Sequence, residues 1–567
     1  MSTIGWLQFG LFAFLITTFV SPSGWYLARM ADSRESFWTT ATRVEHALYR
    51  LCGADPSEQN WVQYAASLVC FNVCGIVLLY VLQRLQGVLP FNPQRLGPVE
   101  PTLAMNTAVS FVTNTSWQSY AGETTVSYLV QMAGITVQSF MSAATGIGVA
   151  FALVRGIARH NIETIGNFWA DLVRSTFYLL LPLSVAGALV LQATGVPQTL
   201  SAYVDATSVD GAHQVLAIGP VASQEMIKLL SGDGGGFFNA NSAHPFEDPT
   251  AASGLLEALA IFLVGAGLTN AFGRMVGDRR QGWVLYAAMA VLFVSGFAVV
   301  YANETSMNAA SAVLHQTGTL ANMEGKEVRF GTAQSSLFAT VTTASSDGAV
   351  DSMHDSFMPL SGLVLMANMM LDEVIVGGPG SGLFGMLLFV LVAVFLAGLM
   401  IGRTPEYLGN KIEGSEVKMA MLALLVVPFF ILGLPALGVL LPQTLTSLNN
   451  AGPHGFSEVL YAYASGAATN GSAFAGLNTN TDFYNLSLAV AMFAGRFLVI
   501  IPVLCVAGTL ARKRRVPASA GTLPTHGPLF ATLLVATIVI VGGLTFFPAL
   551  VLGPVAEHLV MLAGGTF

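Results

Sequence analysis

Charged residues are scarce: Asp, Glu, Lys and Arg together make up 10% of 567 residues, against 54% hydrophobic. With a mean hydropathy of +0.65, this excludes a soluble globular domain. Cysteine is scarce too. The four, Cys52, Cys70, Cys74 and Cys505, occur in or near apolar stretches or on the side expected to face the cytoplasm, and no disulfide framework follows from them. Cys70 and Cys74 have helical spacing but no His or Cys beside them, so they read as packing residues. The nine histidines are scattered without a metal-binding constellation. Nucleotide chemistry is missing: there is no G-x-x-x-x-G-K-[ST] loop, the triple glycine Gly234 to Gly236 runs into Phe237-Phe238, and no DKTG sequence occurs. ATP hydrolysis by this chain alone is thereby excluded. The basic run Arg512 to Arg515 adjoins an apolar span and reads as a topology anchor, so no nucleic-acid partner is expected.

What is abundant is apolar sequence in lengths that span a bilayer. Stretches near the required twenty residues run approximately 5–22, 62–83, 126–154, 172–195, 254–275, 281–302, 383–402, 417–442, 484–508 and 527–550. Ten transmembrane helices are expected. The first lacks a positive flank, and Ser21-Pro22-Ser23-Gly24 is a weak cleavage site, so it reads as a retained helix rather than a signal peptide.

Between these spans recurs a short polar motif, a small residue followed by Asn or Asp and then Gly or Thr. It occurs as Thr113-Asn114-Thr115, Gly232-Asp233-Gly234, Ser346-Asp347-Gly348 and Thr469-Asn470-Gly471, with central residues 119, 114 and 123 positions apart. A near-constant period with an apolar span on each side is the mark of a fourfold internal repeat. Any single motif could be an ordinary extracytoplasmic turn; four at the same place in the pattern argue otherwise. Non-helical backbone at membrane depth persists only when buried in protein or lining a watery cavity. Backbone carbonyls and short side-chain oxygens around one axis can replace a cation's hydration shell. Segments able to form half-helices precede each motif, at 103–112, 222–231, 335–344 and 457–467, and their C-terminal dipole ends favour a cation over an anion.

The expected architecture is an all-α integral membrane protein with four pseudo-symmetric helix, pore-loop, helix repeats around a central filter and one extra helix at each end. Its units are a first helix and cytoplasmic loop (1–61), pore repeats at 62–155, 156–276, 277–403 and 404–510, and a basic loop with the tenth helix (511–567). Seventeen Lys and Arg lie in the loops without filters and five in those with them, which points the filters outward.

At this stage the residues resemble a known family, KdpA, the potassium-binding A subunit of the Kdp-type potassium-transporting P-type ATPase complex. The resemblance spans the chain and rests on FVTNTSWQSYAGET from Phe111, GGGFFNANSAHPFEDPT from Gly234, GAVDSMHDSF from Gly348, GLMIGRTPEYLGNKIE from Gly398 and TNGSAFAGL from Thr469. It implies a non-catalytic, channel-like subunit of an ATP-driven importer. Such a subunit binds K+ from outside and passes it through an intramembrane path to a P-type ATPase partner accompanied by small accessory membrane subunits. The transported ion would be K+, with no organic cofactor, and the location a bacterial inner membrane crossed many times. The alternative is a stand-alone potassium channel or cation-coupled symporter built on the same filter. The sequence departs from the family pattern at four positions: Gly232 and Asp233 stand where Thr and Asn are expected, Asp347 where Cys is, and Thr469 where Asn is. Two carboxylates are thus expected beside the filter, either serving the ion or capping nearby amides.

Two features remain. The third repeat is interrupted at Gly377-Gly378-Pro379-Gly380-Ser381-Gly382, which no continuous helix survives; by resemblance this is a gating loop beneath the filter that diverts the ion sideways. Asp372 and Glu373 before it, and Gln118 after the first motif, are expected to line the exit. Arg496 lies mid-span, where a charge costs roughly 2.5 to 3.5 kcal/mol on insertion scales. It occupies the place where the superfamily carries a basic residue below the filter, so it is expected to bar a straight exit. The competing reading is a salt bridge to Glu458 or Asp372.

Overall fold

Polar residues mark where the helices begin. Asn60 accepts from the amides of Val62 and Gln63, both at 3.0 Å, while the Gln63 side chain returns to the Asn60 amide; Thr250 with Ser253 and Glu413 with Glu416 close the same reciprocal cap. The computed structural model describes residues 3–31, 45, 47–50, 53–306, 321–371, 374–517 and 522–565. In chain order its principal helices are α1 (Thr3–Ala31), α2 (Trp61–Leu85), α3 (Pro101–Val112), α4 (Val130–Ala158), α5 (Phe168–Thr194), α6 (Val221–Ser231), α7 (Ala251–Met275), α8 (Arg279–Glu304), α9 (Gly331–Ser345), α10 (Pro359–Met370), α11 (Ser381–Ile401), α12 (Gly414–Gly438), α13 (Gly452–Ala467), α14 (Asp482–Arg512) and α15 (Pro528–Leu562). Ten of them, all but α3, α6, α9, α10 and α13, are long and apolar enough to cross a membrane.

Burial sorts these ten into two rings. The most apolar windows of α4, α7, α11 and α14 are 67 to 83% buried, whereas those of the other six are 22 to 39% buried. The inner four are the spans that follow the short helices α3, α6, α9 and α13, directly in three repeats and in the third after α10 and a break in the chain. The outer six show apolar side chains such as Leu189, Val291, Phe429 and Leu544 on their outward faces, as lipid contact requires. Three two-stranded antiparallel pairs tie loops together: Gln59–Asn60 with Thr164–Gly166, Val204–Thr207 with His213–Leu216, and Glu406–Tyr407 with Asn410–Lys411.

Charge at the helix ends is paired. Arg155, in the last turn of α4, makes a buried two-pronged contact with Asp171 of α5, both bonds 2.7 Å, and Tyr64 of α2 donates to the same carboxylate at 2.9 Å. Lys513, within the basic run, reaches Glu416 at 2.7 Å and Glu413 at 3.2 Å at the start of α12.

Two expectations about the spans are corrected. α1 does not end near residue 22: Ser21 to Gly24 lie inside a helix that continues to Ala31. Gly24 serves close packing there, since a Cβ on it would stand 2.8 Å from the Gly267 carbonyl of α7. Cys70 and Cys74 are exposed on α2 rather than packed, because α2 belongs to the outer ring and turns that face outward.

The interruption in the third repeat is real. α10 stops at Met370 and α11 starts at Ser381; Val376, Gly377 and Gly380 in between have φ of 66°, 63° and 105°, a left-handed path that no helix can take.

Candidate functional site

The four short helices all end at the polar motifs. The half-helices expected at 103–112, 222–231, 335–344 and 457–467 are α3, α6, α9 and α13. Each gives way to two left-handed residues: Asn114 and Ser116 (φ 61° and 55°), Gly232 and Gly235 (53° and 78°), Ser346 and Gly348 (61° and 86°), and Thr469 and Gly471 (55° and 95°). Left-handed residues turn the chain sharply and free carbonyls from helical pairing. In the first repeat Thr113 keeps a right-handed φ of −84° and the left-handed turn comes one residue later, so Ser116 takes the place that Gly348 and Gly471 hold. The motif as read in the sequence stopped one residue short of it.

The motifs meet at one place. A Cβ on Gly234 would stand 3.1 Å from Gly348 Cα and 3.2 Å from the Gly471 carbonyl carbon. A Cβ on Gly471 would run into the Thr115 carbonyl oxygen, and one on Gly348 into the Asn470 carbonyl oxygen. Thr115, Gly234, Gly348 and Gly471, one from each repeat, thus pack backbone to backbone around a common centre. Closeness of approach requires glycine at three of these positions, and at Gly348 and Gly471 the left-handed φ requires it as well.

Side chains lock neighbouring motifs. Asn114 Nδ2 donates to the carbonyls of Ser231 at 3.2 Å and Gly232 at 2.8 Å. Ser116 donates to Asp233 Oδ2 at 2.9 Å, and Ser231 donates to Asp233 Oδ1. Ser346 donates to the Ala468 carbonyl at 2.9 Å, and Asn470 Nδ2 to the Thr342 carbonyl at 3.0 Å. The two carboxylates therefore differ. Asp233 is held by hydroxyls on both oxygens, whereas Asp347 accepts from the Ala349 amide at 3.1 Å through Oδ1 and keeps Oδ2 buried without a hydrogen-bond partner. Asn114 Oδ1 and Thr342 Oγ1 are likewise buried acceptors without a partner, a pattern that suits an ion ligand better than a closed hydrogen-bond network.

On the C-terminal side of the short helices lies the interruption, residues 377–382. A Cβ on Gly232 would stand 2.6 Å from Pro379 Cδ, and the Gly377 amide donates to the Ala344 carbonyl at 3.4 Å. Gly380 packs onto the Gly146 carbonyl of α4, and Gly265 of α7 faces the Gly377 carbonyl. Ser381 and Gly382 open α11. Arg496 reaches the same spot: its Nη2 donates to the Ser142 carbonyl at 2.9 Å and would stand 3.0 Å from a Cβ on Gly146. Of the carboxylates weighed as its partner, Glu458 is taken up by the amides of Asn449 and Asn450. Asp372 and Glu373 lie outside the described residues. Gln118 braces the second motif, accepting from the Gly236 amide at 2.9 Å.

Sequence reading passed over the support behind the second motif. Lys228 of α6 is buried, 2.6 Å from Glu225, 3.2 Å from Glu247 and 2.9 Å from Asn241 Oδ1. Asn241 in turn accepts from the Val350 amide of the third loop at 3.2 Å. Two charged residues three apart in an otherwise uncharged half-helix were the readable signal. A second relay runs from His354 Nδ1 to the Tyr461 hydroxyl at 2.7 Å, on to Ser472 at 2.8 Å, and from Ser472 to Asn470. Burial, and then the Lys326 charge, lower the His354 pKa to about 3, so the ring is neutral. Burial pushes the nearby Asp351 carboxyl up to about 7.

The family model described as "KdpA: Potassium-transporting ATPase A subunit" matches residues 10–559. A protein of Methylorubrum extorquens is 57% identical over 569 aligned residues, covering 100% of this chain and 99% of the relative, and one of Mesorhizobium japonicum is 57% identical with 100% of both covered. Both are named potassium-transporting ATPase potassium-binding subunit. Among solved structures, the potassium transporter TrkH of Vibrio parahaemolyticus superposes with a TM-score of 0.50 at 17% identity over 85% of this chain and 96% of that one, a likeness of fold.

Proposed function

The chain belongs to the potassium-transporting ATPase A subunit family, and from that premise we propose that it is the potassium-binding subunit of a Kdp-type importer, a non-catalytic chain whose ATP is hydrolysed by a P-type ATPase partner. The observation that carries the reading is the backbone convergence of Thr115, Gly234, Gly348 and Gly471 at the C-terminal ends of four short helices. Four negative dipole ends and a ring of freed carbonyls suit a monovalent cation stripped of water. Thr113, Asn114, Thr115, Gly232, Asp233, Gly234, Ser346, Asp347, Gly348, Thr469, Asn470 and Gly471 are the K+ filter, and Ser116 completes the first loop.

Beneath it, Gly377 to Gly382 obstruct a straight path and Arg496 repels a cation that passes them, so the ion leaves sideways towards the partner. The support is that Pro379, Gly146 and Arg496 share one spot below Gly232. Repeats 62–155, 156–276, 277–403 and 404–510 face their filters to the extracytoplasmic side of a bacterial inner membrane, by the distribution of Lys and Arg. Small accessory membrane subunits complete the complex.

The test is growth at micromolar potassium of a bacterium stripped of its own uptake systems, expressing this chain with or without its partner subunits. Rescue that requires a catalytically competent ATPase partner is the expected result. Rescue by this chain alone would make it a channel or symporter.

A further inference from the structure

At the end of α13 remote from the filter, three side chains from distant parts of the chain converge. His454 lies in the first turn of α13, Glu458 one turn further on the same face, and Asp355 comes from the loop after the third motif. One ligand atom from each lies within 4.8 Å of the other two, and all three residues are buried. We propose that Asp355, His454 and Glu458 bind a first-row divalent transition-metal cation, for which Zn2+ is the working probe, at a site separate from the potassium filter.

Three observations support it. First, the imidazole is oriented as metal-bound histidines are: Nδ1 stands 2.9 Å from Glu557 Oε1 of α15, which leaves Nε2 to face Asp355 Oδ1 at 3.0 Å. A carboxylate behind the ring fixes which nitrogen faces the metal and raises its basicity. Second, Glu458 is held in place, accepting from the Asn449 amide at 3.2 Å and from the Asn450 amide and side chain at 3.1 and 3.2 Å. Third, a side chain is excluded from the spot on which the carboxylates converge. A Cβ on Gly476 would stand 2.8 Å from Asp355 Oδ1 and closer still to Glu458 Oε1, so glycine there keeps a small cradle open.

The chemistry selects the ion. One imidazole nitrogen with two carboxylate oxygens matches Zn2+ and its neighbours, whereas Ca2+ takes six to eight oxygens. Tetrahedral ligands at about 2.0–2.2 Å from Zn2+ lie roughly 3.4 Å apart, so His454 Nε2 and Asp355 Oδ1, now 3.0 Å apart, would part slightly while the Glu458 oxygen, within 4.8 Å of both, closes in. Three carboxylates surround one imidazole that bridges two of them, and a dication taken up in exchange for the ring proton adds a further positive charge to offset their mutual repulsion. Some fifteen helical residues, about 20 Å, separate His454 from Thr469, so the bound ion would not touch the filter. It would tie the third pore loop and the fourth pore helix to the terminal helix.

The test is a titration of the chelator-stripped full chain in detergent with Zn2+ against a fluorescent competitor. One equivalent per chain is expected, weakened more than about a hundredfold in His454→Gln and about 10- to 100-fold in Glu557→Gln, with affinity rising with pH as metal displaces the ring proton. A spectroscopic measurement on the unmutated protein guards against misfolded variants: Co2+ should give a visible ligand-field band that one equivalent of Zn2+ abolishes. Absence of stoichiometric Zn2+ binding, absence of that band, or wild-type affinity in a folded His454→Gln protein would each overturn the proposal.

Discussion

The Asp233 carboxylate accepts the Ser116 hydroxyl at 2.9 Å, joining the second polar loop to the first. The acid is engaged by hydroxyl donors on both oxygens, unlike Asp347 with its unpaired Oδ2. Removing charge at the two positions should therefore have different consequences.

Asp233→Asn keeps an acceptor for Ser116 and should leave apparent K+ affinity within a few-fold. Asp233→Ala strands two buried hydroxyls at about 1–3 kcal/mol and should lower thermal stability. Asp347→Asn should change Na+ competition more than Asp233→Asn does. Na+ inhibition of K+-stimulated ATP hydrolysis by the assembled complex measures all three; equal effects at both positions would contradict the assignment.

Gly471→Ala places a methyl against the Thr115 carbonyl at a residue with φ of 95°. The left-handed angle alone costs about 1–2 kcal/mol, and the collision displaces the converging loops as well. A complex that still assembles should lose K+ affinity by more than about tenfold, a difference of roughly 1.4 kcal/mol, read from the K+ dependence of its ATPase rate.

Arg496→Gln retains a donor for the Ser142 carbonyl but removes the charge. The expected result is a weakened apparent K+ affinity with uptake less tightly tied to ATP hydrolysis, measured as K+ accumulated per ATP in reconstituted vesicles. Unchanged uptake and affinity would discard the barrier role.

Arg155→Met leaves Asp171 charged and buried, which typically costs about 3–5 kcal/mol, while Arg155→Met with Asp171→Leu should recover most of the loss. Thermal unfolding midpoints of the purified chain decide it. A double variant no better than the single one would show that the pair is not the source.

Asp351 carries a pH dependence. Its pKa is raised from 3.8 to about 7, chiefly by burial. Below pH 3.8 both folded and unfolded chains hold the proton. As pH rises, the unfolded chain ionises first, so this group lowers stability progressively up to about pH 7 and no further. Asp351→Asn should flatten the profile between pH 4 and 7 and stabilise at pH 8. An identical slope in the variant would refute the cause.

The helices and the polar turns at the ends of the short helices were legible because both rest on local pattern. Twenty apolar residues mark a span, and a small residue, Asn or Asp, and Gly after a half-helix mark a left-handed turn. What could not be read depends on contact between distant segments. Nothing in the chain near Gly232 announces that Pro379 lies against it. The first motif was read one residue short because Ser116 is not a glycine, yet it takes the same left-handed angle. The histidines looked scattered because Asp355 and His454 stand 99 positions apart and meet only when the loop after the third motif folds against the first turn of α13.

The interruption at residues 377–382 meets its neighbours largely at main chain, Gly380 on the Gly146 carbonyl and Gly377 on Ala344 and Gly265, with the Pro379 ring against Gly232. A barrier made of side chains can be crossed by rotamer flips in picoseconds to nanoseconds, whereas collective displacement of packed backbone belongs to microseconds to milliseconds. On the proposed reading of this segment as a barrier, an ion's passage past it is timed by a concerted slide of the peptide chain. That is slow enough for a chemical cycle in another subunit to keep step with it, and too slow for the ion flux of an open pore.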